Sequence, residues 1–478
     1  MSTLPLYHRA VDWAAFDAEY PPPDVFAETL WQWPAERLCA LQNERFLKAM
    51  RAGWQNPFYA RRWRAAGLEP GDVRSLDDIR KLPVYDTDDI KADQQAHGPY
   101  GEAAGIGALA GRLGETPLKL QSSGGTTGKP RLTLHGPIEW EMGGLNTARG
   151  QYIQGARPGD VMQIPATCSL AMLGWGFYKA CHDYLGILPV TTGSGIVTPS
   201  RRQLELAFDL GVNIWVSFPE YLMRLAAACR EELGRDIREL RTKYLTTFLG
   251  PDTEETLRHQ LEELWGCPVF DNYGTNEIGL GAGECTHKSG LHLTEDLMYF
   301  EVLDVTTGEP VPDGKVGNLV VTAFYRTVQP VIRFNLRDLG RIIATGRCAC
   351  GSAFRRMDHF LGRSDSMVRL RGVNIYPMAC LPAIRSDPRT TGEWLCEAYV
   401  ATRDGREREE LAVHIEVRKD APSRDGLQQH LEARLHADLG VAVEVRLVGE
   451  GELATKANLG EGKANRLLER RPAYMKKP

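Results

Sequence analysis

The densest concentration of chemistry in this 478-residue chain is Ser122-Ser-Gly-Gly-Thr-Thr-Gly-Lys-Pro130. Gly124, Gly125 and Gly128 can take positive φ and bring backbone N–H groups close to an anion. Ser122, Ser123, Thr126 and Thr127 add hydroxyl donors, and Lys129 adds charge. A loop of this kind suits phosphate, and ATP is the simplest ligand that would use it. A Walker-type loop needs Ser or Thr after the lysine and a helix beyond. Here Lys129 leads instead into Pro130 and the strand-like Arg131-Leu-Thr-Leu134. The loop is therefore expected between two strands, with no helix dipole behind it.

A second group consists of soft metal ligands. Cys285-Thr-His287, with His292 just beyond, and Cys348-Ala-Cys350 form two short clusters separated by strand-patterned sequence. That pattern suits a structural Zn2+ site of three thiolates and one imidazole, and the residues alone leave His287 and His292 open as the fourth ligand. Ten cysteines are too few for a disulfide scaffold in a chain this long. Cys168, Cys181, Cys229, Cys380 and Cys396 stand singly in apolar or helical surroundings and are expected as buried thiols.

From about residue 137 to 275 helical and strand patterns alternate, which is the mark of α/β layering. Periodicity predicts helices over 199–210, 219–233 and 253–265, and strands over 212–217, 243–249 and 268–273. Open α/β sheets bind ligands at the carboxyl ends of their strands, so the loops there should carry the site. Residues 297–345 read as successive short strands turning at Thr307-Gly308 and Asp313-Gly314, which suggests a β subdomain. Beyond Gly362 a smaller α+β unit begins, with a hairpin around Asp404-Gly405, a helix over 426–439 and a strand over 441–448. The expected organisation is a large α/β domain over 1–362, with a zinc-bearing β subdomain at about 280–355, and a small mobile α+β domain over 363–478.

A net charge of −5 supplies no basic field for nucleic acid, so the partner should be a small molecule. No apolar run approaches the ~18 residues of a membrane span, and the first residues lack the pattern of a signal peptide. The expectation is a soluble, cytoplasmic protein with no membrane partner, and a homodimer is compatible with it.

Five motifs in order carry a resemblance: the 122–130 loop, Tyr273-Gly-Thr-Asn-Glu277, Arg333-Phe-Asn-Leu-Arg-Asp338, Gly362-Arg-Ser-Asp365 with Arg371-Gly-Val-Asn-Ile-Tyr-Pro377, and Gly460-Glu-Gly-Lys463-Ala-Asn-Arg466. Together they resemble the adenylate-forming superfamily of acyl-CoA synthetases, adenylation domains and luciferases, and most of all its phenylacetate-CoA ligase branch. The resemblance implies that the loop closes on the β- and γ-phosphates of ATP and that Glu277 ligates Mg2+. It implies that Tyr273 stacks on adenine, with Gly274, Thr275 and Gly250 close to the nucleotide. Asp338 would bind both ribose hydroxyls, Arg363 would also reach the ribose, and Asp365 would be the hinge of a rotating C-terminal domain. Lys463 would bridge the carboxylate and the α-phosphate. Among relatives a histidine in a Gly-Leu-His stretch favours His292 as the zinc ligand.

The acyl pocket is implied to draw on Trp175, Phe177, Phe218, Tyr221 and the Phe248-Leu-Gly250 turn, whose aromatic density suits an aryl or bulky cyclic acid. Two departures from the family's spelling stand out. Gly125 is an extra residue in the loop, and Leu249-Gly-Pro-Asp252 replaces the Gly-Ala-Glu-Pro of phenylacetate enzymes. The expected reaction forms an acyl-adenylate with release of pyrophosphate and then passes the acyl group to coenzyme A. An amino acid amine, as in the coronafacate ligases, is the alternative acceptor, and a non-catalytic nucleotide sensor is the third reading.

Overall fold

The computed structural model describes residues 4–98, 100–105, 114, 116–122, 131–252, 255–364, 368–370, 373–403, 406–453 and 466–471. The chain forms two compact units. The first comprises Met1–Leu249, Leu257–Leu336 and Gly340–His359; the second comprises Gly250–Thr256, Arg337–Leu339 and Phe360–Pro478.

The strands of the first unit are, in chain order, β1 (Lys119–Ser122), β2 (Leu132–His135), β3 (Val161–Gln163), β4 (Leu188–Val190), β5 (Ile214–Val216), β6 (Tyr244–Thr247), β7 (Val269–Thr275), β8 (Gly279–Gly283), β9 (Leu291–Leu293), β10 (Met298–Leu303), β11 (Gly317–Ala323), β12 (Val331–Gly340), β13 (Ile342–Ala344) and β14 (Arg356–Met357). Among the described residues, nine of them make one sheet in the order β13-β14-β9-β8-β7-β6-β5-β3-β4. From β4 to β7 every pairing is parallel, and from β7 to β13 every pairing is antiparallel.

The parallel half is covered on both faces, so its strands carry adjacent apolar residues, as in Ile214-Trp-Val216, Tyr244-Leu245 and Val269-Phe270, with period two deciding which face each residue serves. Trp215, Leu245 and Val269 join Leu204, Leu222, Leu257, Leu261 and Trp265 from the helices Ser200–Leu210, Pro219–Leu233 and Thr256–Trp265. Their neighbours Ile214, Val216, Tyr244 and Phe270 face the other way, against Ala148 of the helix Pro137–Gln154 and Phe177. The predicted helix over 219–233 is found with those bounds: Pro219 occupies its first turn and Gly234 ends it at φ 65°. The helix expected over 253–265 begins only at Thr256, behind Glu255 at φ 55°.

The expected β subdomain divides between two sheets. β10, β11 and β12 form a three-stranded sheet of their own, whereas β13 pairs with β14 at the edge of the large sheet. Sequence alternation marks a strand but not its neighbour, which is why this division was not foreseen. The first hundred residues, for which periodicity suggested no elements, are mainly helical, with Ala35–Gln55 the longest helix. Gln42 and Arg45 of that helix donate to the carbonyls of Glu295 and Asp296, tying it to the turn before β10. Cys168 is half-buried rather than buried, because it lies in the loop after β3, while Cys181, Cys229, Cys380 and Cys396 are buried as expected.

In the second unit β15 (Val368–Leu370) and β16 (Val373–Ile375) pair with each other. β17 (Thr390–Arg403), β18 (Arg406–Val417), β19 (Glu444–Gly449) and β20 (Leu467–Glu469) make a four-stranded sheet in the order β19-β18-β17-β20. The helix Leu427–Leu439 lays Leu427, Leu431, Leu435 and Leu439, spaced one turn apart, onto a core with Trp394, Val413 and Ile415. Leu431 is fully buried there. Replacing it by Ala removes three carbons from that core, so chemical denaturation of Leu431→Ala should show a loss of about 2–5 kcal/mol.

Candidate functional site

β1 and β2 pair antiparallel with Ser122 directly opposite Leu132, so the strands flanking the glycine-rich segment form a two-stranded stem, as the sequence predicts. Ser123, Gly124, Gly125, Thr126, Thr127, Gly128 and Lys129 lie outside the described residues, and so do Asp365 and Lys463. The stem is tied to the Tyr-Gly-Thr-Asn-Glu motif. Asn276 Nδ2 donates to Ser122 O at 2.9 Å, and Asn276 Oδ1 accepts from Met172 N at 3.1 Å.

That motif occupies the end of β7 and the turn into β8, at the carboxyl end of the parallel sheet. Gly274 is needed for close packing: a Cβ there would stand 2.5 Å from Gly279 O. Tyr273 and Glu277 are buried, and Thr275 is half-buried. The Glu277 carboxylate is met by the guanidinium of Arg131, which also donates to Thr87 Oγ1 and lies 5.5 Å over the Phe334 ring. Burial pushes the Glu277 carboxyl up, but the Arg131 charge prevails and holds it below the usual carboxylate range. The carboxylate therefore stays ionised, and it is a hard oxygen donor that fits Mg2+. Arg131 was passed over in the sequence as a strand residue. Its position, the first cation after the glycine-rich loop, is the signal that could have found it.

Asp338 and Arg363 are 25 positions apart in sequence and adjacent in space, both within the second unit. Arg363 Nη1 donates to Asp338 Oδ1 at 2.9 Å, and Leu339 N donates to Gly362 O at 2.8 Å, closing a small antiparallel bridge. Gly250 takes φ 74° in the turn after β6.

The four proposed pocket residues do not share one environment. Phe177 is part of the core between sheet and helix. Trp175 is half-buried, stacked edge-on to Trp140 with its ring centroid 5.9 Å away and with Lys119 Nζ 4.9 Å above it. Phe218 is 52% exposed and packs beside Phe248 at 5.9 Å. Tyr221 is half-buried, with its hydroxyl 3.2 Å from Ser200 Oγ.

The cysteine clusters do converge. Ligand atoms of Cys285, His292, Cys348 and Cys350 lie within 4.8 Å of one another. Cys285 Sγ is 3.9 Å from Cys348 Sγ, and Cys350 Sγ is 3.7 Å from His292 Nε2. Thiolates about 2.3 Å from a tetrahedral Zn2+ stand about 3.8 Å apart, so the donor set and its spacing both fit the ion. His287 is exposed and outside the cluster. Phe26, Trp31 and Phe354 pack around the group, with the Trp31 ring 4.8 Å from that of His292.

Residues 372–471 match the family of AMP-binding enzyme C-terminal domains. The chain is 30% identical over 448 residues to a phenylacetate-coenzyme A ligase of Aromatoleum evansii, covering 91% of this chain and 95% of the relative. It is 29% identical over 459 residues to a phenylacetate-coenzyme A ligase of Thermus thermophilus, covering 92% and 98%. Among solved structures, 2-hydroxyisobutyryl-CoA ligase in its postadenylation state with 2-HIB-AMP superposes with a TM-score of 0.81 at 25% identity, over 99% of this chain and 98% of that one. The same ligase with 2-HIB-AMP and CoA in the thioesterification state gives 0.66 at 27% identity, over 93% and 92%.

The buried pair makes a stability prediction. Arg131→Met leaves the Glu277 carboxylate buried without its charge partner, so urea unfolding at pH 7 should show a loss of about 3–5 kcal/mol. In the wild type the depressed carboxyl contributes stability that is lost as pH falls through its folded pKa. In the variant, protonation relieves the unpaired charge, so the difference between the two proteins should shrink on acidification.

Proposed function

The chain belongs to the phenylacetate-coenzyme A ligase family, and we infer from that membership that it is an ATP-dependent acid–CoA ligase working through an acyl-adenylate. The observation that carries this reading to individual residues is the joining of the phosphate-loop stem to an ionised, buried Glu277 through Arg131 and Asn276. Adenylation brings a carboxylate against an anionic phosphate, so the site must supply positive charge and hold both reactants in line.

In our reading, Ser122 to Lys129 surround the β- and γ-phosphates, with Arg131 behind them. Glu277 would hold Mg2+, which supplies positive charge at the phosphate oxygens. Tyr273, Gly274, Thr275 and Gly250 accommodate the adenine end, and Asp338 takes the ribose hydroxyls with Arg363 beside it. Lys463 bridges the acid and the α-phosphate, and Asp365 is the pivot. We assign to Cys285, His292, Cys348 and Cys350 a structural Zn2+, which fits a closed shell of four protein ligands. The acid is read as aryl or bulky cyclic, from the exposed Phe218 beside Phe248 and from the half-buried Trp175 and Tyr221. Among the described residues, no helix is long and apolar enough to cross a membrane.

The test is acid-dependent ATP–pyrophosphate exchange, followed by mass identification of the product from a panel of aryl and cyclic acids with CoA or with mixed amino acids. Acyl-CoA is the expected product; amides formed while CoA stays inert would move the acceptor to an amine. Lys463→Ala should slow the exchange about 10²- to 10³-fold while leaving acyl transfer from chemically prepared acyl-AMP near normal. Equal losses in both half-reactions would remove Lys463 from its assigned role.

Elemental analysis should find one zinc per chain. The paired change Cys348→Ser with Cys350→Ser should lose the metal and lower the melting temperature. A variant with unchanged melting temperature and metal content would leave the cluster as four neighbouring side chains with no ion.

A further inference from the structure

Asp271, on β7 two residues before Tyr273, is 1% exposed and takes part in none of the assignments above. Its Oδ1 accepts from Leu249 N at 2.7 Å and from Asn272 N at 2.9 Å, and its Oδ2 accepts from His359 Nδ1 at 2.5 Å. The neighbouring charges are already committed. Glu284 Oε2 accepts from Asp271 N at 2.7 Å, and the Glu284 carboxylate is held by Arg258 through bonds of 2.9 and 2.7 Å. His359 is itself anchored, because its backbone N donates to Asp358 Oδ1 at 2.9 Å and Asp358 pairs with Arg341 at 2.6 Å.

Leu249 and His359 share one further property. Each is the last residue of the first unit before the chain enters the second, at Gly250 and at Phe360 respectively. One buried carboxylate therefore holds Leu249 and His359 as well as the strand β7, which carries Tyr273. Burial disfavours the imidazolium of His359, but the hydrogen bond to Asp271 and its charge outweigh that and raise the imidazole above its usual value. A carboxylate–imidazole bond of this kind is charge-assisted.

We propose that His359 is a positioning residue for adenylate formation: through Asp271 it fixes the Leu249–Gly250 turn and the Tyr273 end of β7, the two backbone segments that flank the nucleotide. This rests on the assignment of those segments to ATP. Neither His359 nor Asp271 touches a reacting atom. Their effect is on how well the adenosine is held, in ATP and in the acyl-adenylate alike, and saturation with either ligand offsets it.

The experiment compares wild type, His359→Ala and His359→Asn. Asn keeps an N–H donor close to the place of Nδ1, and Ala keeps none. Calorimetry with Mg·ATP should show about ten-fold weaker binding for the Ala variant, the effect of losing one charge-assisted hydrogen bond. The Asn variant should recover most of that loss. At saturating acyl-AMP, transfer to CoA should change less than about two-fold in either variant, since binding no longer limits it and neither side chain touches a reacting atom. Unchanged Mg·ATP affinity in the Ala variant, or equal losses in both half-reactions, would overturn the proposal. Should the Ala variant fail to fold, Asp271→Asn decides in its place: it keeps an acceptor for Leu249 N but loses the charge toward His359, and unchanged Mg·ATP affinity in that variant would overturn the proposal. A wild-type protein that does not bind Mg·ATP would instead overturn the nucleotide-site reading itself.

Discussion

A carboxylate buried at the end of a strand must be compensated, and at Glu277 the compensation comes from Arg131. Taking such a group out of water costs several kcal/mol unless a charge meets it, so the pair constrains everything attached to its two members. Arg131 is the first described residue after the glycine-rich segment, and its guanidinium also reaches Thr87 and the ring of Phe334 on β12. Glu277 closes the turn between β7 and β8, where only glycine fits at 274. One ion pair thus sets the loop stem, the carboxyl end of the sheet and the start of a peripheral helix in a fixed relation.

The sequence made the parallel half of the sheet legible because burial on both faces leaves short apolar runs between helices with strong 3.6-residue periodicity. Helix 219–233 and strands β5 to β7 follow from that pattern alone. The antiparallel half was not legible in the same way. Strands as short as Arg356–Met357 carry no periodicity, and their place beside β9 depends on long-range pairing. In the N-terminal helix Ala35–Gln55 the reason is different: Arg45 is buried through bonds to the backbone carbonyls of Asp296 and Glu19, which interrupts the apolar stripe that marks a core helix.

Within the site, residue types and spacing identified groups that the fold brings together even from distant segments. Asp338 and Arg363 meet across a small bridge, and the four zinc-type ligands converge from two loops and a strand. What residue types could not give was connection. Arg131, Asn276, Asp271 and His359 each act by holding another residue, and a residue of that kind has no motif of its own. The aromatic residues differ among themselves. Phe177 has the composition of a pocket and the 3% exposure of a core.

The cysteine cluster lies where the large sheet is weakest. β9 has three residues and β14 two, and each relies on a few hydrogen bonds at the antiparallel edge of the sheet. Pairing that short gives little independent stability, and an open edge invites association with other chains. Cys285 follows β8, His292 lies on β9, and Cys348 and Cys350 lie in the loop between β13 and β14, so a single ion on the proposed ligands would bind four consecutive strands of that edge. The edge strands run beside β8, which is paired with β7 and so with the segment carrying Tyr273 and Glu277. An ion held on those ligands would bear on Tyr273 and Glu277 by keeping the register of β8 against β7, since a slip of one residue there would reverse the facing of the side chains along that pairing.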